Sequence, residues 1–146
     1  MNNIHILLVE DNEGDIVLTL EAFEEAKIIN DISIVRNGEL AIDFLLQKGQ
    51  FVDAKIPDLI LMDINLPRIN GQEVLQFIKS EKRLRHIPVV MLTTSSSPKD
   101  ILTAYQNYAS CFITKPVDVE DFLNVISEIE NFWVKIIKLP TVDKSE

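Results

Sequence analysis

The sequence predicts an α/β fold: a flavodoxin-like, doubly wound, five-stranded parallel sheet with strand order 2-1-3-4-5 and an extended C-terminal helix. Short apolar runs alternate with helix-period segments along the whole chain, which is the signature of repeated βα units. The runs are continuously apolar rather than alternating, as strands buried on both faces must be. Right-handed crossovers then leave few topologies, and for five units the flavodoxin-like order is favoured.

Each element has its own signal. "IHILLV" (4–9) reads as the first strand, and Ile16, Leu20, Phe23 and Lys27 follow at helical spacing. "ISIV" (32–35) is the second strand. Asn37-Gly38 resembles a hairpin turn, but the i, i+4 pattern of Leu40, Phe44 and Leu45 beyond it makes Asn37 a helix cap. "DLILM" (58–62) is the third strand, followed by a helix over 72–80 with Val74, Phe77 and Ile78 on one face. "PVVML" (88–92) is the fourth. Ser97, Pro98 and Asp100 then supply a hydroxyl cap, a first-turn proline and a first-turn acid for a helix ending near Tyr108. "CFIT" (111–114) is the fifth strand, and a long helix runs over 119–138. Residues 1–138 are expected to form one domain and 139–146 a loose tail, which leaves no room for a separate output domain.

Composition narrows function. The 146 residues carry a net charge of −9, which argues against direct nucleic-acid binding. The cluster of Lys79, Lys82, Arg83 and Arg85 reads as a solvated helix end. No apolar run approaches membrane-spanning length, and the start "MNNIHILLVED" lacks a basic region and a cleavage site. The single cysteine, Cys111, has no internal disulfide partner and reads as a buried structural thiol. Together these features predict a cytoplasmic protein.

In a sheet of this order, ligands sit beyond the carboxyl ends of the strands where the winding reverses, between strands one and three. Strand one ends in Glu10-Asp11 and strand three in Asp63; strand four ends in Thr93-Thr94 and strand five in Thr114-Lys115. Solvent-facing strand ends explain any one polar residue, but not acids, a hydroxyl and a lysine together along one edge. Three converging carboxylates repel unless one is protonated or a cation binds. Oxygen donors without histidine or cysteine suit a hard ion such as Mg²⁺. Such an ion beside Asp63 and a lysine makes a phosphoryl site, with Asp63 as the nucleophile that becomes an acyl phosphate. No glycine-rich nucleotide-cradling loop is present, so the donor is not expected to be ATP.

"LLVEDN", "LILMDINLPRINGQEVL", "VVMLTTSS" and "FITKP" resemble, in order and spacing, the receiver domain of bacterial response regulators. The resemblance covers nearly the whole chain and implies roles. Asp63 would take a phosphoryl group from a histidine kinase or a phosphotransfer protein. Asp11 would ligate Mg²⁺ directly, Glu10 through water, and Asn65 through its backbone carbonyl. Lys115 would contact a phosphoryl oxygen, with a cis peptide to Pro116. Thr93 would move onto the phosphoryl group and Phe112 would rotate inward, switching the face made by the fourth helix, fifth strand and fifth helix. The resemblance implies catalysis of the protein's own phosphorylation and dephosphorylation only. A pseudo-receiver that does not use phosphorylation is the alternative. A Mg²⁺-dependent aspartyl-phosphate phosphatase is a weaker one, since position 65 is asparagine where such enzymes favour a second aspartate.

The last helix carries a broad apolar stripe that includes Phe132, Trp133 and Ile136 at its end, which points to an interface and a homodimer. Folding of Trp133 back onto its own domain is the alternative. "KGQFVDAKIPD", "EDNEGD" and "IENFW…LP" are similar to the small stand-alone regulators paired with phytochrome-type histidine kinases, which implies a kinase of that kind as partner.

Overall fold

The computed structural model describes residues 4–25 and 30–140, so Lys27 and the tail residues 141–146 lie outside the described residues. The strands are β1 (Ile4–Val9), β2 (Asn30–Val35), β3 (Leu59–Met62), β4 (Val89–Thr93) and β5 (Cys111–Thr114). The helices are α1 (Glu13–Glu25), α2 (Gly38–Leu45), α3 (Gly71–Ser80), α4 (Pro98–Gln106) and α5 (Val119–Glu130). All pairings are parallel and the strand order is β2-β1-β3-β4-β5, as the alternating pattern predicted.

Two apolar layers form because successive side chains on a strand point to opposite faces. Leu7 and Val9 of β1, Ile60 and Met62 of β3, and Val89 and Met91 of β4 face α2, α3 and α4. Ile6 and Leu8, Leu59 and Leu61, and Val90 and Leu92 face Ile16 and Phe23 of α1 and Phe122, Ile126 and Ile129 of α5. The same parity continues past the strand ends. It assigns Glu10, Asp63 and Lys115, which follow Leu8, Leu61 and Ile113 by two residues, to the α1/α5 side.

The caps read from the sequence are formed. The Asn37 side chain accepts from the Leu40 amide at 2.7 Å, and the Ser97 hydroxyl accepts from the Asp100 amide at 3.3 Å. The long connection before β3 contains one 3-10 turn, Gly49–Phe51.

The extended C-terminal helix is present: α5 ends at Glu130, and Asn131–Ile136 continue it as a π-helical turn in which the Ile137 N–H reaches the Phe132 carbonyl at 2.9 Å. The wider turn rotates the side chains off the α-helical stripe. Trp133 packs against the α1/α5 layer, while the adjacent Phe132 remains 47% exposed, its ring edge-on to the indole at 5.7 Å. One expectation is corrected: no cis peptide occurs among the described residues, so the Lys115–Pro116 bond is trans, the form favoured by about 0.5–1 kcal/mol at X–Pro bonds.

Candidate functional site

The acidic residues at the sheet's carboxyl edge are aligned by extensions of the strand ladder. The Glu10 amide donates to the Val35 carbonyl at 3.0 Å, the Asp63 amide to the Val9 carbonyl at 3.1 Å, and the Lys115 amide to the Thr93 carbonyl at 2.6 Å. Backbone hydrogen bonding therefore holds three side chains, just past the ends of β1, β3 and β5, at one level. Gly71, at the start of α3, closes the floor. A Cβ added there would sit 2.1 Å from the Asp63 carbonyl oxygen, so only glycine allows this approach.

Glu10, Asp63, Thr93 and Lys115 are buried, whereas Asp11 and Asn65 are exposed. Each of Glu10, Asp11 and Asp63 can offer a carboxylate oxygen to a common point, these atoms lying within 4.8 Å of one another. The Lys115 ammonium donates to Asp63 Oδ2 at 2.9 Å, to Asp15 Oδ2 at 2.9 Å, and to Glu10 Oε1. The Asn65 amide donates to Asp63 Oδ1 at 3.2 Å, and the Asn12 amide to Glu10 Oε2 at 3.3 Å.

The electrostatics divide the two buried acids. Burial pushes the Asp63 carboxyl up. The Thr93 hydroxyl, the Lys115 ammonium and the Asn65 amide outweigh it and hold the pKa below the ordinary aspartate value. At Glu10 burial wins: its pKa rises to about 7 despite the hydrogen bond and charge of Lys115, with Asp63 adding repulsion. Burial alone would lower the Lys115 pKa, but Glu10, Asp15 and Asp63 reverse that and raise it. Asp63 is thus held ionised beside a cation that does not give up its proton.

Glu10, Asp15 and Asp63 contact this ammonium, and Asp11 lies within reach of Glu10 and Asp63, so the one cation leaves negative charge uncompensated. An all-oxygen donor set with excess negative charge, open to solvent at Asp11, fits a hard divalent cation that keeps some of its waters. The site can hold such an ion and present the Asp63 carboxylate to an electrophilic phosphorus.

The structure brings together the predicted Glu10, Asp11, Asp63, Thr93 and Lys115. Asn65 flanks them through its backbone. Thr94 faces solvent. Phe112 is partly buried against the α2/α3/α4 layer, and its amide donates to the Tyr105 hydroxyl of α4 at 3.1 Å. Phe132 and Trp133 lie far along the chain's last turn, bordering a groove of about 720 Å³ with Cys111, Ile113, Val125 and Ile129. The Ile136 side chain lies outside the described residues. Cys111 is partly rather than fully buried, and burial raises its thiol pKa. The sequence reading missed Asp15. The signal for it was present: Lys115 has the strand parity that faces α1, and Asp15 lies in the first turn of that helix.

The chain matches the family model described as the response regulator receiver domain over residues 6–127. Among curated proteins, it is 39% identical to the response regulator Rcp1 of Synechocystis over 135 residues, which is 92% of each chain. It is 41% identical over 130 residues to a probable methanogenesis regulatory protein, FilR2, of Methanothrix harundinacea, covering 88% of this chain and 83% of the relative. Among solved structures, it resembles the phosphorylated cyanobacterial phytochrome response regulator RcpA with a TM-score of 0.93 at 40% identity, covering 96% of this chain and all of that one. The Mn²⁺-bound form of Rcp1 is similar at a TM-score of 0.92 and 38% identity, covering 94% of this chain and 99% of that one.

Proposed function

The chain belongs to the response regulator receiver domain family, and on that premise we propose that it signals by taking a phosphoryl group onto Asp63 from a histidine kinase or a phosphotransfer protein, with Mg²⁺ bound. Members of this family act on their own phosphorylation and dephosphorylation rather than as independent enzymes. The observation that carries the assignment to Asp63 is its buried carboxylate, kept ionised and hydrogen-bonded to Lys115 beside two further acids.

The residues divide the work. An Asp63 oxygen attacks phosphorus, and the bond to the donor's leaving group breaks as the O–P bond forms. Lys115 neutralises a phosphoryl oxygen. Glu10 and Asp11, with the Asn65 carbonyl and Asp63, would hold Mg²⁺, which supplies charge neutralisation at the phosphoryl oxygens. The likeness to Mn²⁺-bound Rcp1 supports a divalent cation there. Thr93, whose hydroxyl already lies beside the Asp63 carboxylate, is placed to follow the new charge. Phe112 connects that movement to the face made by α4, β5 and α5, because its backbone is tied to Tyr105 on α4.

The likeness to RcpA supports a phytochrome-type kinase as donor. No helix among the described residues is long and apolar enough to cross a membrane, and we place the protein in the cytosol on its single cysteine and acidic composition. We take residues 1–138 as the receiver unit and 139–146 as a tail.

Incubation with acetyl phosphate, followed by intact mass, tests the acceptor. One phosphoryl group is expected to add with Mg²⁺ present, and none with EDTA or in Asp63→Asn. Failure to label under conditions that label another receiver would favour the pseudo-receiver.

A homodimer through the α4/β5/α5 face is supported by exposed Leu102, Tyr105 and Phe132, with Phe132 contributing more free surface than the tucked Trp133. Sedimentation velocity should show a dimer that Phe132→Ser shifts toward monomer. An unchanged sedimentation profile would remove Phe132 from the interface.

A further inference from the structure

The Lys115 ammonium has three N–H donors, and three carboxylates take them: Glu10, Asp63 and Asp15. Glu10 and Asp63 belong to the trio whose oxygens converge within 4.8 Å, and Asp15 stands outside it. Asp15 comes from the first turn of α1, not from a strand end, so a separate element of the fold reaches across to the lysine.

Local needs do not account for the Asp15 side chain. Its backbone amide is satisfied by Asn12 Oδ1 at 3.0 Å, and its carbonyl accepts from the Thr19 hydroxyl at 2.7 Å. The carboxylate's hydrogen bond, among the described residues, goes to Lys115 Nζ at 2.9 Å. The Lys115 side chain is 3% exposed and that of Asp15 is 24% exposed, so this contact closes the solvent side of a buried cation.

We propose that Asp15 is a positioning residue for Lys115: it anchors the ammonium from the α1 side and sets the balance at Asp63 between binding a divalent cation and accepting a phosphoryl group. The inference rests on the acceptor reading above. Two effects follow from its charge and its hydrogen bond. Its negative charge favours a cation at the acidic trio. It also opposes the phosphorylated state, because a phosphoaspartate dianion carries one more negative charge than the carboxylate it replaces. An N–H held by Asp15 is also unavailable to a phosphoryl oxygen.

Removing the charge should therefore move the two affinities in opposite directions. In Asp15→Asn, the Kd for Mg²⁺, measured by amide NMR shifts of residues 59–66, is expected to rise about three- to tenfold, the size of one partly screened unit charge. At saturating Mg²⁺, the Kd for beryllofluoride, a singly charged phosphoryl analogue that binds on the aspartate oxygen, is expected to fall about threefold. Asp15→Glu retains the charge and should return both values to within about twofold of the wild type.

A residue that merely supported the fold would weaken both ligands when changed, and that outcome overturns the proposal. So does a change in only one affinity, or in neither. The wild type and Asp63→Asn separate this failure from a deeper one. If the wild type does not bind beryllofluoride at saturating Mg²⁺, the acceptor reading falls and the role of Asp15 with it. If the wild type binds, Asp63→Asn does not, and Asp15→Asn matches the wild type, only the role of Asp15 falls.

Discussion

Strand β1 carries a buried ionisable residue at each end, and the two ends are solved differently. At the start, His5 is 7% exposed and its Nε2 lies 2.8 Å from the Ser33 hydroxyl. Its backbone amide donates to Asp58 Oδ2 at 2.9 Å, and its carbonyl accepts from the Asp58 amide at 2.8 Å. Burial pushes the imidazole below its ordinary pKa, although the Ile56 carbonyl and the charges of Asp58 and Asp31 pull the other way, so the ring is kept neutral. Just past the other end of the strand, Glu10 is 3% exposed and shares one ammonium with Asp15 and Asp63. At the first end the ring stays neutral, paired at Nε2 with Ser33 while its Nδ1 is buried without a hydrogen-bond partner. The second is left with excess charge of one sign, which an incoming ligand must complete. The difference is that between a buried polar group that holds a fold and one that waits for a reaction partner.

The strongest way to break the comparison is to deform the charged end through its backbone. The Gly71 Cα packs on the Asp63 peptide, and a methyl group there would meet the Asp63 carbonyl oxygen at 2.1 Å and the Ile64 Cα at 2.8 Å. No flexible side chain is available to yield, so α3 or the end of β3 must move. Gly71→Ala is expected to destabilise the protein by about 3 kcal/mol, the upper end for overpacking a filled interior. Phosphoryl labelling of the folded fraction should also fall, because the displaced group is Asp63. Urea unfolding and intact mass check the two parts. A variant of wild-type stability would mean that the floor of the site is not set by this contact.

The parts of this site that the sequence revealed are those fixed by strand position. Glu10, Asp63, Thr93 and Lys115 each follow a continuously apolar run, and a parallel sheet leaves little choice about where such residues gather. Asn37 and Ser97 were legible for a similar reason: a capping side chain acts within its own turn. Asp15 was not legible in this way. In sequence, an acid in the first turn of a helix already has a reading in the helix dipole, which hides a second partner, and the bond to Lys115 spans a hundred residues of sequence. The π-helical turn was hidden because one apolar stripe is compatible with an α- or a π-helical continuation until packing decides. His5 carries no such signal: its burial, and its pairing with Ser33 on β2, come from the β1–β2 register.

A smaller effect sharpens the comparison, because acid should act on the two ends of β1 with opposite signs. The folded pKa of Glu10, about 7, lies above the ordinary value of 4.5, so the protonated form is favoured by folding. Its contribution to stability is complete below pH 4.5 and is lost as pH rises through about 7. The folded pKa of His5 lies below its ordinary value of 6.5, so the neutral form is favoured. That contribution is present above pH 6.5 and is lost as pH falls through the depressed value. In EDTA, acidification from pH 8 to 5.5 should therefore give a shallow stability profile in the wild type, the gain at Glu10 offsetting the loss at His5. Glu10→Gln cannot take up the proton. It should lack a gain of about 1–2 kcal/mol, exposing the loss at His5 as a steady decline toward acid. Urea unfolding at each pH measures this directly. Parallel wild-type and Glu10→Gln profiles would mean that the charged end is already balanced without a ligand, and the contrast between the two ends would be lost.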